Sequence, residues 1–267
     1  MGYEIIEGDC VDVMGGMDAE SVHAVVTSPP YDNLRTYEGT CDWNQSVWEM
    51  VLEELYRVLV PGGVAVWVVG DATVNGSETG TSFAQAIYAK SVGFNIHDTM
   101  IWSKSDPMPL SHRRYEQQFE YMFVFSKGKP RVFNPIKDRK AKNPGVVSTG
   151  SVRNADGSLR PKNTLSTVPD FLPRFNIWKV PGACHKKDIS GHPAPMPTSI
   201  AHDHIISWTN PGDIVLDPFA GGGTTGVACA ETGRDFIGIE KVPEYADLAR
   251  NRIEAAMPQG VANELAV

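Results

Sequence analysis

Three short stretches hold the residue types and spacings that could do chemistry. The first, VVTSPPYDN at positions 25 to 33, ends an apolar run and turns through Thr27, Ser28, Pro29, Pro30 and Tyr31. Each proline fixes its own φ, lacks a backbone donor and restricts the residue before it. The product is a stiff corner, rich in acceptors, with an aromatic ring at its tip. A plain strand-ending turn is the alternative. The second stretch, Asp217-Pro-Phe-Ala-Gly-Gly-Gly-Thr-Thr, follows the apolar residues IVL and precedes a helical pattern. Glycines there let backbone approach a ligand at the carboxyl end of a strand, because they carry no Cβ. The third is Glu240, which closes FIGIE 23 residues after Asp217. At that spacing a carboxylate can accept hydrogen bonds from a ribose diol.

The loop is not GxGxxG and contains no GK[ST], so neither a dinucleotide fingerprint nor a P-loop is present. It calls for an adenosine without a phosphate clamp. S-adenosylmethionine has a ribose, an adenine and a charged amino-acid tail in place of phosphates, and it fits. A tight turn without a ligand, and a solvated acid at a strand end, are the plain alternatives.

Short apolar runs bounded by turn residues must position these groups. YEIIEG at 3 to 8, HAVVTS at 23 to 28 and VAVWVVG at 64 to 70 read as strands. Between the last two, Val47, Val51, Leu55 and Leu59 share one face of an amphipathic helix that stops at Pro61-Gly62-Gly63. A second helix is expected over 82–91, then two β-rich runs, NIHDTMIWS and QFEYMFVFS, pairing antiparallel. Residues 127–175 lose periodicity and read as an inserted, loop-rich recognition segment. PTSIAHDHIISWT reads as a helix opening on Pro197, and the remainder as strand, glycine loop, helix, strand and helix. That succession implies a parallel sheet with right-handed crossovers and a doubly wound α/β fold. Three divisions are expected: 1–126 and 188–267 as two halves of one domain, and 127–187 between them.

Composition narrows the function classes. A chain of 267 residues can bury a substantial core without staples. Cys10, Cys41, Cys184 and Cys229 form no paired spacing, so neither a disulfide framework nor a zinc site is indicated. The opening MGYEIIEGDC lacks a signal sequence, and no apolar run approaches the roughly 18 residues a membrane span needs. A soluble cytoplasmic protein is expected. The net charge of −8 argues against a polyanionic partner, yet 127–187 is strongly basic within an otherwise acidic chain. It interleaves Phe133, Phe171, Phe175 and Trp178 with Lys and Arg, the mixture a nucleic-acid surface uses for phosphates and exposed bases. A solvated charged face is the alternative.

With GDC at 8 to 10, TSPPY at 27 to 31 and DPFAGGGTT at 217 to 225, the chain resembles the amino-group DNA methyltransferases. It is similar in particular to their β class, in which SPPY or DPPY precedes the cofactor loop, and the likeness runs from Tyr3 to about Met257. The resemblance implies a mostly parallel, seven-stranded, circularly permuted sheet, with YEIIEG supplying the strand that usually follows the ribose acid. It implies that Asp217, Phe219, Gly221, Gly223, Thr224, Thr225 and Glu240 line the cofactor, and that Asp9, flanked by Cys10, accepts from the adenine amino group. An Asp that merely forms a turn is the alternative there, and Cys10 and Cys229 also read as small core residues. HPAPMP and FNIWKV resemble further family segments, but Met196-Pro197 departs from the commoner Lys-Pro, so Met196 takes no assigned contact.

For the corner, the resemblance implies that the Ser28 side chain and the Pro29 carbonyl pull on an exocyclic amine. Pro30 keeps the turn rigid and Tyr31 stacks on the flipped base. No covalent intermediate is needed, and no Pro-Cys loop supplies the nucleophile of a cytosine-carbon enzyme. Ser28 in place of Asp favours cytosine N4 over adenine N6. A methyltransferase of protein glutamine or RNA, a non-catalytic DNA-binding shell and a nucleotide-dependent oxidoreductase are the other classes. The implied partners are double-stranded DNA and a cognate restriction endonuclease, with the chain a monomer or homodimer. Lys137, Arg139, Lys140 and Lys142 are expected to face phosphates, and Arg113 and Arg114 to reach DNA near the flipped base.

Overall fold

Continuous apolar runs, rather than alternating ones, mark strands covered on both faces. In a computed structural model, which describes residues 1–31, 43–105, 114–148, 150–161, 166–182 and 196–257, those runs form the centre of one sheet. Its strands are β1 (Tyr3–Glu7), β2 (Val22–Thr27), β3 (Leu59–Val69), β4 (Asn95–Lys104), β5 (Phe119–Ser126), β6 (Ile177–Val180), β7 (Ile214–Asp217) and β8 (Asp235–Glu240). They lie in the order β1-β8-β7-β2-β3-β5-β4-β6. From β1 to β3 every pairing is parallel; β5 runs antiparallel to both β3 and β4.

The expected seven strands are therefore eight. The addition is β6, from FNIWKV, which pairs parallel with β4 from Ile177↔Ile101 to Val180↔Lys104. The Trp102 indole donates to the Val180 carbonyl at 2.9 Å, and the buried Trp178 ring stacks on His204 at 4.5 Å. One buried tryptophan and four residues are enough to complete a sheet edge but too few to show a period.

Helix α1 (Cys10–Gly15) follows β1, α2 (Gln45–Val58) precedes β3, and α3 (Thr81–Val92) follows it. Asn44 caps α2 by accepting from the Val47 N–H at 3.3 Å, and Trp48, Val51, Leu52, Leu55 and Val58 are its buried face. The helix stops three residues before Pro61, because Leu59 already pairs with Val22 as the first residue of β3. Helices α1 to α3 share a core with Val25, Trp67, Phe123 and Phe125. Ala24 and Val26, the alternate residues of β2, are fully buried outside that cluster, as a sheet covered on both faces requires. The remaining helices are α4 (Thr198–Trp208), α5 (Thr224–Thr232) and α6 (Pro243–Ala256). Pro197 caps α4 as expected.

The chain divides into two compact units, Met1–Asn134 with Asn176–Val267, and Pro135–Phe175. The smaller unit is a nest of short antiparallel pairs: Lys137–Lys140 with Phe171–Pro173, Val147–Ser148 with Ser166–Thr167, and Ser151–Arg153 with Leu159–Pro161. Strands of two to four residues leave no periodic signal, so this ladder reads as loop in sequence.

Candidate active site

Strand order reverses between β7 and β2, and crevices outside the carboxyl ends of strands at such a point are where open α/β sheets bind ligands. The two chemically suggestive loops leave the sheet side by side there. Asp217 ends β7 and Thr27 ends β2, and they are joined: the Thr27 hydroxyl donates to Asp217 Oδ1 at 2.6 Å. The Thr225 hydroxyl donates to Oδ2 at 2.7 Å, and the Phe219 N–H to Oδ1 at 3.1 Å. Burial pushes the Asp217 carboxyl up to about 6, against the pull of these hydrogen bonds. Its oxygens thus hold protein groups together.

Glu240, at the end of β8, accepts from the Gly221 N–H at 2.8 Å through Oε2 and from the Val242 N–H at 2.9 Å through Oε1. It fixes the glycine loop and the entry to α6 at once. Gly221 and Gly223 have φ of +48° and +77°, the left-handed region that L side chains rarely adopt. A Cβ on Gly223 would stand 2.8 Å from Ala249, so α6 packs directly on the loop. Gly223 caps α5 without a side-chain bond, and the Arg252 guanidinium donates to the Gly222 carbonyl. Thr224 and Thr225 open the helix and are buried. The Phe219 ring meets Trp43 edge-on at 5.4 Å and Trp67 at 6.4 Å.

Asp9, after β1, accepts from the Val11 N–H at 3.0 Å and so caps α1, with Lys241 at 3.5 Å from its second oxygen. The capping geometry realises the turn alternative and leaves lone pairs on the carboxylate. Cys10 lies in the core shared by α1 and α2.

In the corner, Pro29 is buried and the Ser28 hydroxyl donates to the Tyr31 hydroxyl at 3.0 Å. Tyr31 in turn donates to Glu120 Oε2 at 2.7 Å, and the other Glu120 oxygen is 2.5 Å from Lys104 Nζ. Sequence reasoning missed Thr27, Glu120 and Lys104. A lone acid inside the apolar run QFEYMFVFS was the available signal, since carboxylates are seldom half-buried without a partner.

On the larger unit, Arg114 pairs with Glu78 at 3.5 Å and donates to the Gly76 carbonyl. Arg113 and residues 192–195 of HPAPMP lie outside the described residues. On the smaller unit Lys137, Lys140 and Lys142 are exposed. Arg139 is half-buried, its guanidinium 4.1 Å from the centre of the Phe175 ring and its Nε donating to the Pro173 carbonyl at 3.0 Å.

An adenosyl cofactor fits the groups at the sheet: a glycine loop that only a missing Cβ allows, an uncapped helix start, the carboxylates of Asp9 and Glu240 beyond the neighbouring strands β1 and β8, and an aromatic wall. The pattern of the DNA methylase family, the N6/N4 amino-methyltransferases, matches residues 22–251. The chain belongs to that family.

This methylase is 47% identical over 240 residues to the orphan methyltransferase M.BamHII of Bacillus amyloliquefaciens, covering 88% of this chain and 89% of that one. It is 27% identical to the type II methyltransferase M.Cfr9I of Citrobacter freundii, over 95% and 88% of the two chains. The crystal structure of TTHA0409 from Thermus thermophilus complexed with S-adenosyl-L-methionine superposes with a TM-score of 0.65, at 26% identity and 97% coverage of both chains. The cytosine-N4-specific PvuII DNA methyltransferase shares the fold, with a TM-score of 0.67 at 18% identity, over 98% of this chain and 89% of that one. The methylase is thus an S-adenosylmethionine-dependent enzyme acting on DNA amino groups. Among the described residues no helix is long and apolar enough to cross a membrane.

Proposed function

We propose that this methylase has the β-class order of motifs and methylates the exocyclic amine of a base turned out of double-stranded DNA, cytosine N4 in preference to adenine N6. The observation that carries an amine as the target is the bond from Ser28 to Tyr31, 3.0 Å long, at the switch point of the sheet, while the choice of cytosine rests on Ser28 in place of Asp. A serine whose proton is already given away can only accept from a third group. An exocyclic amine has its lone pair delocalised into the ring and gains nucleophilicity when acceptors draw on its hydrogens. Ser28 Oγ and the Pro29 carbonyl are those acceptors, and Pro30 holds the carbonyl still, so little reorganises as charge develops on nitrogen. The Tyr31 ring stacks on the base.

Bound S-adenosylmethionine supplies an electrophilic methyl group. Glu240 takes the ribose, Asp9 the adenine amino group, and the opening of α5 at Thr224 and Thr225 the carboxylate. Cys10, Phe219, Gly221 and Gly223 shape the cleft. Asp217 serves as the brace between the two loops. Burial holds the Cys229 thiol far above its ordinary pKa and Cys10 lies in the core, which disfavours a thiolate route among the described cysteines. The orphan name of M.BamHII favours action without a cognate endonuclease. Nucleoside analysis of unmethylated DNA incubated with the enzyme and S-adenosylmethionine is expected to yield N4-methylcytosine. N6-methyladenine as the sole product would overturn the choice of base.

The smaller unit supplies the phosphate contacts through Lys137, Lys140 and Lys142. Arg139, held by Phe175 and Pro173, shapes that surface. Lys140→Ala is expected to lower the salt-dependence slope of DNA binding by nearly one unit, with equal weakening of cognate and scrambled duplexes. Loss confined to the cognate duplex would instead mark a base contact.

A further inference from the structure

We infer that Glu120 and Lys104 are positioning residues that set the direction of hydrogen bonding in the Ser28–Tyr31 corner. The inference rests on the reading of that corner given above. Lys104 ends β4 and Glu120 is the second residue of β5, on adjacent antiparallel strands. Gly70, just past β3, lies against both Glu120 and Tyr31: a Cβ there would meet Glu120 Cγ at 3.6 Å and the Tyr31 ring at 3.7 Å, ordinary contact distances. The Glu120 side chain is only 12% exposed, and a carboxylate so placed needs a charged partner to offset its lost hydration. Lys104, 2.5 Å away, is that partner.

The order of donors then follows from the groups themselves. An ammonium only donates and an ionised carboxylate only accepts. The single Tyr31 proton therefore goes to Glu120, at 2.7 Å, which leaves Tyr31 Oη an acceptor. Ser28 gives its own proton to that oxygen at 3.0 Å, and Ser28 Oγ is left with lone pairs alone. The polarity runs from a fixed cation on β4 to a free acceptor at the corner. Without the carboxylate, the Tyr31 proton is free to turn towards Ser28, and the serine proton then faces the amine, where it opposes the reaction. Charge-assisted bonds are the stronger kind, so the ion pair enforces the sense of the whole chain.

The test is steady-state methyl transfer to unmethylated DNA by the full chain, with S-adenosylmethionine affinity and thermal unfolding measured alongside. Tyr31→Phe and Glu120→Gln are each expected to lower kcat about tenfold or more, with KM for DNA and cofactor affinity within about twofold. The Tyr31→Phe, Glu120→Gln double variant is expected to be no slower than Tyr31→Phe alone, because Glu120 acts only through that hydroxyl. Lys104→Gln should slow the enzyme and Lys104→Arg should restore it. Wild-type kcat in both single variants, or losses that multiply in the double variant, would overturn the inference. Ser28→Ala in the same assay separates the layers. If it retains full activity, the reading of the corner fails. If it is inactive while Glu120→Gln and Tyr31→Phe are fully active, only this inference does.

Discussion

A Ser28→Ala protein is expected to transfer methyl groups at least about a hundredfold more slowly than the parent while binding S-adenosylmethionine within about twofold as well, the size of effect expected when one positioned hydrogen-bonding group is lost from a developing charge. The separation of the two effects follows from the layout. Ser28 follows β2, whereas the glycine loop and Glu240 follow β7 and β8, and no hydrogen bond joins Ser28 to them among the described residues. The brace between the loops runs through Thr27 and survives the substitution. Tyr31→Ala is expected to do the same, since it removes both the ring that meets the base and the hydroxyl that takes the Ser28 proton. Single-turnover methyl transfer, with calorimetric titration of the cofactor, checks both variants. Wild-type turnover in either would remove that residue from the chemistry.

The parts of the site that can be read from sequence are those carried by contiguous residues. TSPPY and DPFAGGGTT each end an apolar run, so their position at strand ends follows from local pattern alone, whereas the placing of β1 beside β8 rests on the family resemblance. What the pattern leaves open is which groups meet across the sheet. Thr27 and Asp217 are 190 residues apart and Tyr31 and Glu120 are 89 apart. Their contacts exist because β7 lies beside β2 and β5 beside β3. Spacing identifies Asp217 as an acid at a strand end, but only the fold decides that its oxygens turn inward to two threonines. The basic segment shows the same limit: its charge is plain in the sequence, while the ring contact that holds Arg139 depends on Phe175, at the far end of the nested ladder.

The two acids flanking the glycine loop are expected to respond to mutation in opposite ways, and pH separates them. Glu240→Ala should weaken S-adenosylmethionine binding by about 1–3 kcal/mol, because cofactor donors lose their acceptor. Asp217→Asn should leave that affinity within about threefold and change stability instead. Burial raises the folded carboxyl of Asp217 to about 6, from an ordinary value of 3.8 that the unfolded chain retains. Between these values the folded protein keeps a proton that the unfolded chain has released, so the stability this group contributes falls as pH rises from about 4 to about 6 and stays low above that. Asp217→Asn and Asp217→Ala should both lose this dependence. Asp217→Ala also strips the Thr27 hydroxyl and the Phe219 N–H of their buried acceptor, while Thr225 keeps the Val26 carbonyl at 3.2 Å. It should therefore cost about 2–4 kcal/mol at pH 5 and less at pH 8, where the parent carries a buried charge that the variant escapes. Denaturant unfolding at the two pH values, with cofactor titration, decides the matter. Equal losses at pH 5 and pH 8, together with lost affinity in Asp217→Asn, would make Asp217 a ligand of the cofactor and not the brace between the two loops.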